Sequence, residues 1–118
     1  MAPMSSGFVM GPAIVIGYTY RLQIETEAPV FPEGTALLAH IRLKPSSLNL
    51  LAALSSAAGT LLRRSDYLLE IMIPADATAR MQPGTVMFDL VRTDLDPPLH
   101  LGFSLEIPVQ LPVTRGVL

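Results

Sequence analysis

The sequence predicts an all-β protein, an antiparallel immunoglobulin-like β-sandwich with one short helix near residues 74–81. Three observations favour this fold class. Many short segments alternate apolar and polar residues with a period of two, turns containing Pro and Gly separate them at the spacing typical of sandwiches, and no long helical pattern occurs. The 118 residues are enough for one domain with a buried core. The Cys and Trp core signature of antibody domains is absent, because the sequence has neither residue.

The chain divides into an extended N-terminal arm at residues 1–12, the β-sandwich domain at residues 13–110 and a C-terminal tail at residues 111–118. The arm contains Pro, Gly and Ser with no hydrophobic period, and such a segment has no fold of its own. We therefore expect the arm to order on a neighbouring protein.

Two strands are predicted in the first part of the domain. The first begins near Ala13 and is followed by a turn at residues 28–34, where two prolines remove backbone donors. The second covers residues 35–44 and stops at Pro45. The alternation places these side chains inward: Tyr18, Tyr20, Leu22 and Ile24 in the first strand, and Leu37, Ala39, Ile41 and Leu43 in the second.

Residues 46–64 fit two structures. The Leu- and Ala-rich stretch at 48–54 has a high helix propensity, but Ser55-Ser56-Ala57-Ala58-Gly59 breaks that run after about two helical turns. We predict two short strands around a turn.

Three more strands and the helix complete the prediction. A strand at 66–73 leads into Pro74, a residue typical of the first helical position, and strands at 85–93 and 100–109 follow. Pro108 places the last strand at an edge or at its own end. The predicted inward side chains are Tyr67, Leu69, Ile71 and Ile73, then Val86, Phe88 and Leu90, and finally Leu101, Phe103, Leu105, Ile107 and Val109.

The charge content is unusually low. Charged residues make up 15% of the chain, against roughly 25% in ordinary soluble domains, and the net charge is -2. The protein therefore lacks the positive electrostatic potential that would attract the phosphates of nucleic acids. The longest apolar stretches, at residues 8–18 and 48–62, are interrupted by Gly, Pro, Asn or Ser and do not predict a membrane span. No cation precedes Arg21, so we expect a soluble, unexported protein that other protein subunits cover.

Several outward positions of the predicted strands are apolar. In an isolated sandwich these positions are polar, and burying a large apolar side chain is worth roughly 1.5–3 kcal/mol. The alternatives are ordinary scatter of single apolar residues or a one-residue slip that exchanges the two faces. The outward apolar set is Leu38, Leu68, Met72, Met87 and Val91, and the other interface candidates are Phe8 in the arm and the basic doublet Arg63 and Arg64.

No catalytic, cofactor-binding or metal site is predicted. His40 and His100 lack metal-ligand spacing, and no Gly-x-Ser-x-Gly or phosphate-loop motif occurs. Asp94 and Asp96 suit an ordinary turn better than a calcium site. Asp89 points outward, where its carboxylate can pair with Arg42 or Arg92 or accept backbone donors, and a structural role is favoured over a functional one.

Short stretches of the chain carry a family resemblance. In the second half they are residues 69–79 (Leu-Glu-Ile-Met-Ile-Pro-Ala-Asp-Ala-Thr-Ala), 83–90 (Pro-Gly-Thr-Val-Met-Phe-Asp-Leu), 102–109 and 112–115 (Pro-Val-Thr-Arg), and in the first half 17–22, 39–42 and 51–55. Together they resemble a group of small tailed-bacteriophage proteins, which are similar to the immunoglobulin-like N-terminal domains of phage baseplate and tail-fibre attachment proteins. Asp94-Leu95-Asp96-Pro97-Pro98 departs from the group, which has a Gly-containing turn there.

The resemblance implies a non-enzymatic virion component without cofactors, assembled in the host bacterial cytoplasm. Its partners are then other virion proteins and copies of itself, not nucleic acid, membrane or a small-molecule substrate. Its place is the tail, baseplate, head–tail junction or capsid surface. Three alternatives remain: a carbohydrate-binding or adhesion module, a capsid decoration protein, and a small hydrolase that uses Asp94, Asp96 and His100.

Overall fold

Two β-sheets pack face to face in the computed structural model of the protein, which describes residues 8–10 and 12–114. This arrangement, with one short helix, confirms the predicted fold class. The strands are β1 (Phe8–Met10), β2 (Ile14–Val15), β3 (Tyr20–Glu25), β4 (Leu37–Arg42), β5 (Ala52–Ser55), β6 (Leu61–Ser65), β7 (Leu68–Ile73), β8 (Gly84–Arg92) and β9 (Leu99–Gln110), and helix α1 is Ala75–Thr78.

The strand order is that of an immunoglobulin-like sandwich. The larger sheet has the order β1-β9-β8-β4-β5, and β2 also pairs with β9, while the smaller sheet has the order β3-β7-β6. The rows β9-β8-β4 and β3-β7-β6 correspond to the G-F-C and B-E-D rows of that fold. All these pairs are antiparallel, whereas β1 and β2 pair with β9 in parallel. The two N-terminal strands therefore extend the sheet along its β9 edge.

The core forms between the inward faces of the two sheets, as the two-residue alternation predicts. The confirmed inward residues include Leu37, Ala39 and Ile41 on β4, Leu69, Ile71 and Ile73 on β7, Val86, Phe88 and Leu90 on β8, and Phe103, Leu105, Ile107 and Val109 on β9, all buried.

Three side chains that were predicted to point inward are exposed. Tyr18 is 41% exposed, Leu43 52% and Tyr67 46%. Tyr18 and Tyr67 precede β3 and β7, and Leu43 follows β4. Each continues the alternation of its strand into a turn where the sheet no longer holds the backbone, and the predictions for these three residues are wrong for that reason.

Residues 46–64 contain the two short strands that were predicted. They are β5 and β6, and the turn between them is closed by a hydrogen bond from the Thr60 N–H to the Ser55 carbonyl, 3.2 Å long. The helix is shorter than predicted. Beyond Thr78 the N–H groups of Arg80 and Met81 donate to carbonyls three residues back, so the chain continues as tight turns instead of an α-helix.

One end of the sandwich, which we call the helix end, is fastened by Thr78. Its hydroxyl accepts the Gly17 N–H at 3.1 Å and donates to the Tyr18 carbonyl at 2.8 Å. Nearby, the Tyr18 hydroxyl donates to the carbonyl of Thr114 at 3.0 Å. These contacts join α1, the turn before β3 and Thr114 of the predicted C-terminal tail, whose residues 115–118 lie outside the described part of the chain.

The opposite end, the loop end, is where three connections meet. The Thr26 N–H donates to the Tyr67 carbonyl, and the Thr93 N–H donates to the Ala36 carbonyl, each at 2.9 Å. The loops at residues 26–36 and 93–98 and the turn at 66–67 therefore pack together.

The predicted N-terminal arm contains β1, which pairs with Ser104–Glu106 of β9. Residues 1–7 and 11 lie outside the described part of the chain, as does the side chain of the interface candidate Phe8. The predicted domain boundaries stay predictions.

Tyr20 fixes the end of the arm and gives the fold a pH limit. The side chain is 6% exposed, and its hydroxyl donates to the Pro12 carbonyl at 2.7 Å. Burial raises the pKa of Tyr20 from 10.0 to about 12. Because the folded pKa lies above the unfolded value, the stability that Tyr20 contributes is fully present below about pH 10 and is lost as the pH rises through about 12.

Spectrophotometric titration of the 3 tyrosines is expected to show one that ionises near pH 12. In the Tyr20→Phe variant this late step should be missing. An unchanged late step in the variant would contradict the assignment to Tyr20.

Candidate functional site

The outward face of the larger sheet forms a groove of about 760 Å³, lined by β4, β8 and β9. Its apolar floor consists of Leu38, Met87 and Val91, which are half-buried. Leu38 lies opposite Val91 across the β4–β8 pair, and Arg42 lies opposite Met87. Alternation along each strand brings these side chains to one face, so three of the five predicted outward apolar residues form a single surface.

The loop at residues 43–51 borders this groove. The Nη1 group of Arg42 donates to the carbonyls of Ser47 and Leu48 at 3.2 and 3.1 Å, and the Lys44 N–H donates to the Ser47 hydroxyl at 3.2 Å. These bonds hold the loop so that Lys44 and Pro45 line the groove. Leu48 is 95% exposed.

The polar part of the groove is organised around His100. Its Nε2 lies 2.7 Å from Oδ2 of Asp89, and its Nδ1 accepts the Gly102 N–H at 2.9 Å. Because Nδ1 accepts a backbone N–H, it carries no proton, and Nε2–H is the group that donates to Asp89. Both ring nitrogens are thus occupied, which leaves His100 without a nitrogen for a metal or for proton transfer in this arrangement.

Asp89 pairs with neither of the two arginines that the sequence suggested. The carboxylate pairs with His100, not with Arg42 or Arg92. The register of the β8–β9 pair shifts between Asp89 and Val91, and Gly102 has a φ of 84°, a conformation that side-chain-bearing residues rarely adopt. These irregularities bring His100 to Asp89.

The remaining side chains that could take part in catalysis or bind a metal are either far from one another or held in hydrogen bonds and ion pairs. Nδ1 of His40 lies 3.5 Å from Nη2 of Arg42. Arg92 Nη2 binds Asp94 at 2.6 Å, and the Ala36 N–H donates to the same carboxylate at 3.1 Å. The hydrogen bond from Arg92, helped by that from Ala36, lowers the pKa of Asp94 to about 2. Within the described ranges no group of three or more His, Asp or Glu could hold a metal ion.

The smaller sheet carries the other two outward apolar residues. Met72 lies opposite Arg21 and Leu68 opposite Glu25 on the β3–β7 pair, and both apolar side chains are half-buried. Glu70 lies between them. The five predicted residues therefore occupy two separate faces of the sandwich.

Arg63 and Arg64, predicted as interface candidates, each have a partner within the chain. Arg63 forms an ion pair with Asp66, and its Nε–H donates to the Phe31 carbonyl at 2.6 Å. Arg64 binds Glu70 at 2.9 Å, and this hydrogen bond lowers the pKa of Glu70. Arg63 therefore fastens the loop end, while the Arg64 pair lies at the surface, where solvent screens it.

Several exposed apolar residues, in the connections and at the first position of β9, were not predicted from the sequence. Besides Leu48 they are Leu50, Leu95, Leu99, Leu111 and Val113. The exposure of Leu95 could have been predicted from the sequence, because this residue stands between two aspartates in a Pro-containing turn. The exposed tyrosines, Tyr18 at the helix end and Tyr67 at the loop end, are too far apart to form one aromatic platform.

Comparison with known proteins gives the fold alone. No protein-family model matches the sequence, and no curated protein matches it. The structure matches 87 solved chains. One is a crystal structure of a "putative glycoside hydrolase" from Bacteroides vulgatus, at a TM-score of 0.50 and 9% sequence identity, covering 86% of this chain and 17% of that one. The likeness thus spans a small part of that protein. No helix in the described residues has the length and apolar character needed to cross a membrane.

Proposed function

We propose that the protein is a structural component of a tailed-bacteriophage or phage-like particle, assembled by protein–protein contacts at the tail, head–tail junction, baseplate or capsid surface. The observation that carries this proposal is the presence of apolar side chains on the outer faces of both sheets. A sandwich that stands alone needs apolar residues on its inner faces only. Two apolar outer faces fit a subunit with neighbours on two sides.

The size of the effect follows from burial. Complete burial of one large apolar side chain is worth roughly 1.5–3 kcal/mol. Since the five outward residues are half-buried already, covering them adds on the order of 5 kcal/mol in all. Together with the exposed leucines of the loops, this is a useful contribution to an interface with an apolar centre and a polar rim.

The chemistry of the groove also fits contact better than catalysis. A general base needs a nitrogen or carboxylate that is free to take a proton. In His100 both nitrogens are engaged, and Asp94 is held by Arg92. Of the three groups of a hydrolase built on Asp94, Asp96 and His100, only Asp96 is free of such contacts among the described residues, and a single carboxylate lacks the partner that acid–base catalysis needs.

The assignment to a virion depends on the family resemblance. The sequence of elements agrees with it: β7 leads into α1, which contains a threonine, and the Pro-Gly pair at 83–84 opens β8. In the resembled group the same order occurs. The resemblance therefore names the kind of assembly that the two apolar faces would serve.

The proposal can be tested on particles from the organism that carries the gene. Phage-like particles are purified on a density gradient and analysed by mass spectrometry and by immunoelectron microscopy with an antibody against the purified chain. We expect the chain to remain with the particles after a high-salt wash and the antibody to label one part of them. Its absence from purified particles, with other virion proteins detected, would refute the proposal.

A further inference from the structure

The loop at residues 93–98, at the loop end, has the composition of a binding segment. Leu95 is 39% exposed and Leu99, just after the loop, 48%. Asp96 is exposed, and no cation in the described part of the chain lies within 4.0 Å of its carboxylate, whereas Asp94 is paired with Arg92. Pro97 and Pro98 restrict the backbone, which lowers the entropy lost on binding. The loop presents a carboxylate between two apolar side chains.

The groove on the larger sheet has the complementary composition. Its floor is apolar, and its lining includes Arg42 and Lys44 against the single carboxylate of Asp89. Arg42 is engaged with the 43–51 loop. For Lys44, by contrast, the described residues offer no carboxylate within 4.0 Å, so its ammonium group is available to an incoming acid. An acidic, apolar segment therefore suits this groove in charge and in hydrophobicity.

The loop of the same chain does not reach Lys44. Lys44 lies beyond Arg42, which is opposite Met87, and the loop begins after Arg92. The extended chain from Met87 to Arg92 spans roughly 17 Å, and the loop continues past the end of the sheet. A contact between Asp96 and Lys44 therefore requires a second copy of the chain.

We infer that the groove binds the 93–98 loop of a second copy, so that two chains face each other across their larger sheets and exchange these loops about a twofold axis. In this antiparallel arrangement each Asp96 meets the Lys44 of the other copy. The apolar floors meet at the centre, where Asp89 is already satisfied by His100. A contact of this kind is self-complementary and closes at two copies.

This inference rests on the proposed function, of which it names one partner and one surface. The test uses the full chain in sedimentation velocity experiments. The unmodified chain is expected to form dimers. Asp96→Lys and Lys44→Glu each place like charges at both contacts, and each variant is expected to raise the dimer dissociation constant at least tenfold. An equimolar mixture of the two variants should dimerise again, because both contacts then join opposite charges.

Two control variants make the same changes of charge at positions outside the proposed contacts. Glu33→Lys alters an exposed carboxylate of the neighbouring 26–36 loop, and Arg80→Glu alters an exposed cation outside the groove. Both should dimerise as the unmodified chain does. Thermal unfolding experiments check that all variants fold. If a charge-reversed variant does not fold, the neutral variants Asp96→Asn and Lys44→Gln are used in its place.

A monomeric unmodified chain, or an Asp96→Lys or Lys44→Glu variant that dimerises normally, would overturn the inference, as would failure of the mixture to restore the dimer. These outcomes are separate from the test of the proposed function. A chain that is found in particles but is monomeric in solution refutes the loop exchange only. A dimeric chain that is absent from particles refutes the virion assignment only.

Discussion

Replacing Phe31 with alanine is expected to lower the free energy of unfolding by about 3–5 kcal/mol. Phe31 lies in the 26–36 loop, yet its side chain is fully buried, at 0% exposure. Its removal leaves a cavity under the loop end that the surrounding strands cannot fill without moving. Alanine keeps the backbone contacts of residue 31, so the loss measures the missing side chain.

Two backbone contacts hold Phe31 in place. Its N–H donates to the Asp66 carbonyl at 2.9 Å, and its own carbonyl accepts the Nε–H of Arg63. Urea denaturation followed by circular dichroism measures the loss. Phe31→Leu, which keeps most of the volume, should cost less than about 1.5 kcal/mol. Equal losses in the two variants would show that the cavity is not the cause.

Replacing Thr78 with valine, which has the same shape, is expected to cost about 2 kcal/mol. The Thr78 side chain is completely buried, and in the variant the Gly17 N–H and the Tyr18 carbonyl lose their shared partner. The penalty is the cost of leaving such groups unsatisfied away from water.

Thr85→Val is the matched control, because Thr85 is exposed on β8. Its effect on the free energy of unfolding should stay within about 0.5 kcal/mol. The comparison uses the same urea denaturation. A Thr78→Val variant as stable as Thr85→Val would mean that water reaches the turn and replaces the lost hydroxyl.

The inner faces of the strands were predictable because alternation is a local property. On β7, for example, Leu69, Ile71 and Ile73 must share one side of any extended chain. The strand ends were not predictable in this way, as Tyr18 and Leu43 show, since the alternation continues in the sequence after the hydrogen-bonded ladder has stopped. Strand boundaries depend on partners that are distant in the chain.

Only part of the candidate site could be predicted from the sequence, because the rest depends on partners that are distant in the chain. Leu38, Met87 and Val91 were expected on outer faces, but only the order β9-β8-β4 places them together in one groove. The pairing of Asp89 with His100 depends on a register shift within the β8–β9 pair, which no pattern in the sequence specifies. The role of Arg63 depends on Phe31, 32 residues away in the chain.

The parallel strands β1 and β2 have a consequence for solubility. A bare strand at the border of a sheet is a template on which other chains can add strands and grow into fibrils. Here Ser104–Glu106 and Val109–Gln110 of β9 already have backbone partners in β1 and β2. The border of the sheet is thus formed by β1 and β2, strands of 3 and 2 residues, and edge strands this short offer an incoming chain few backbone groups to pair with.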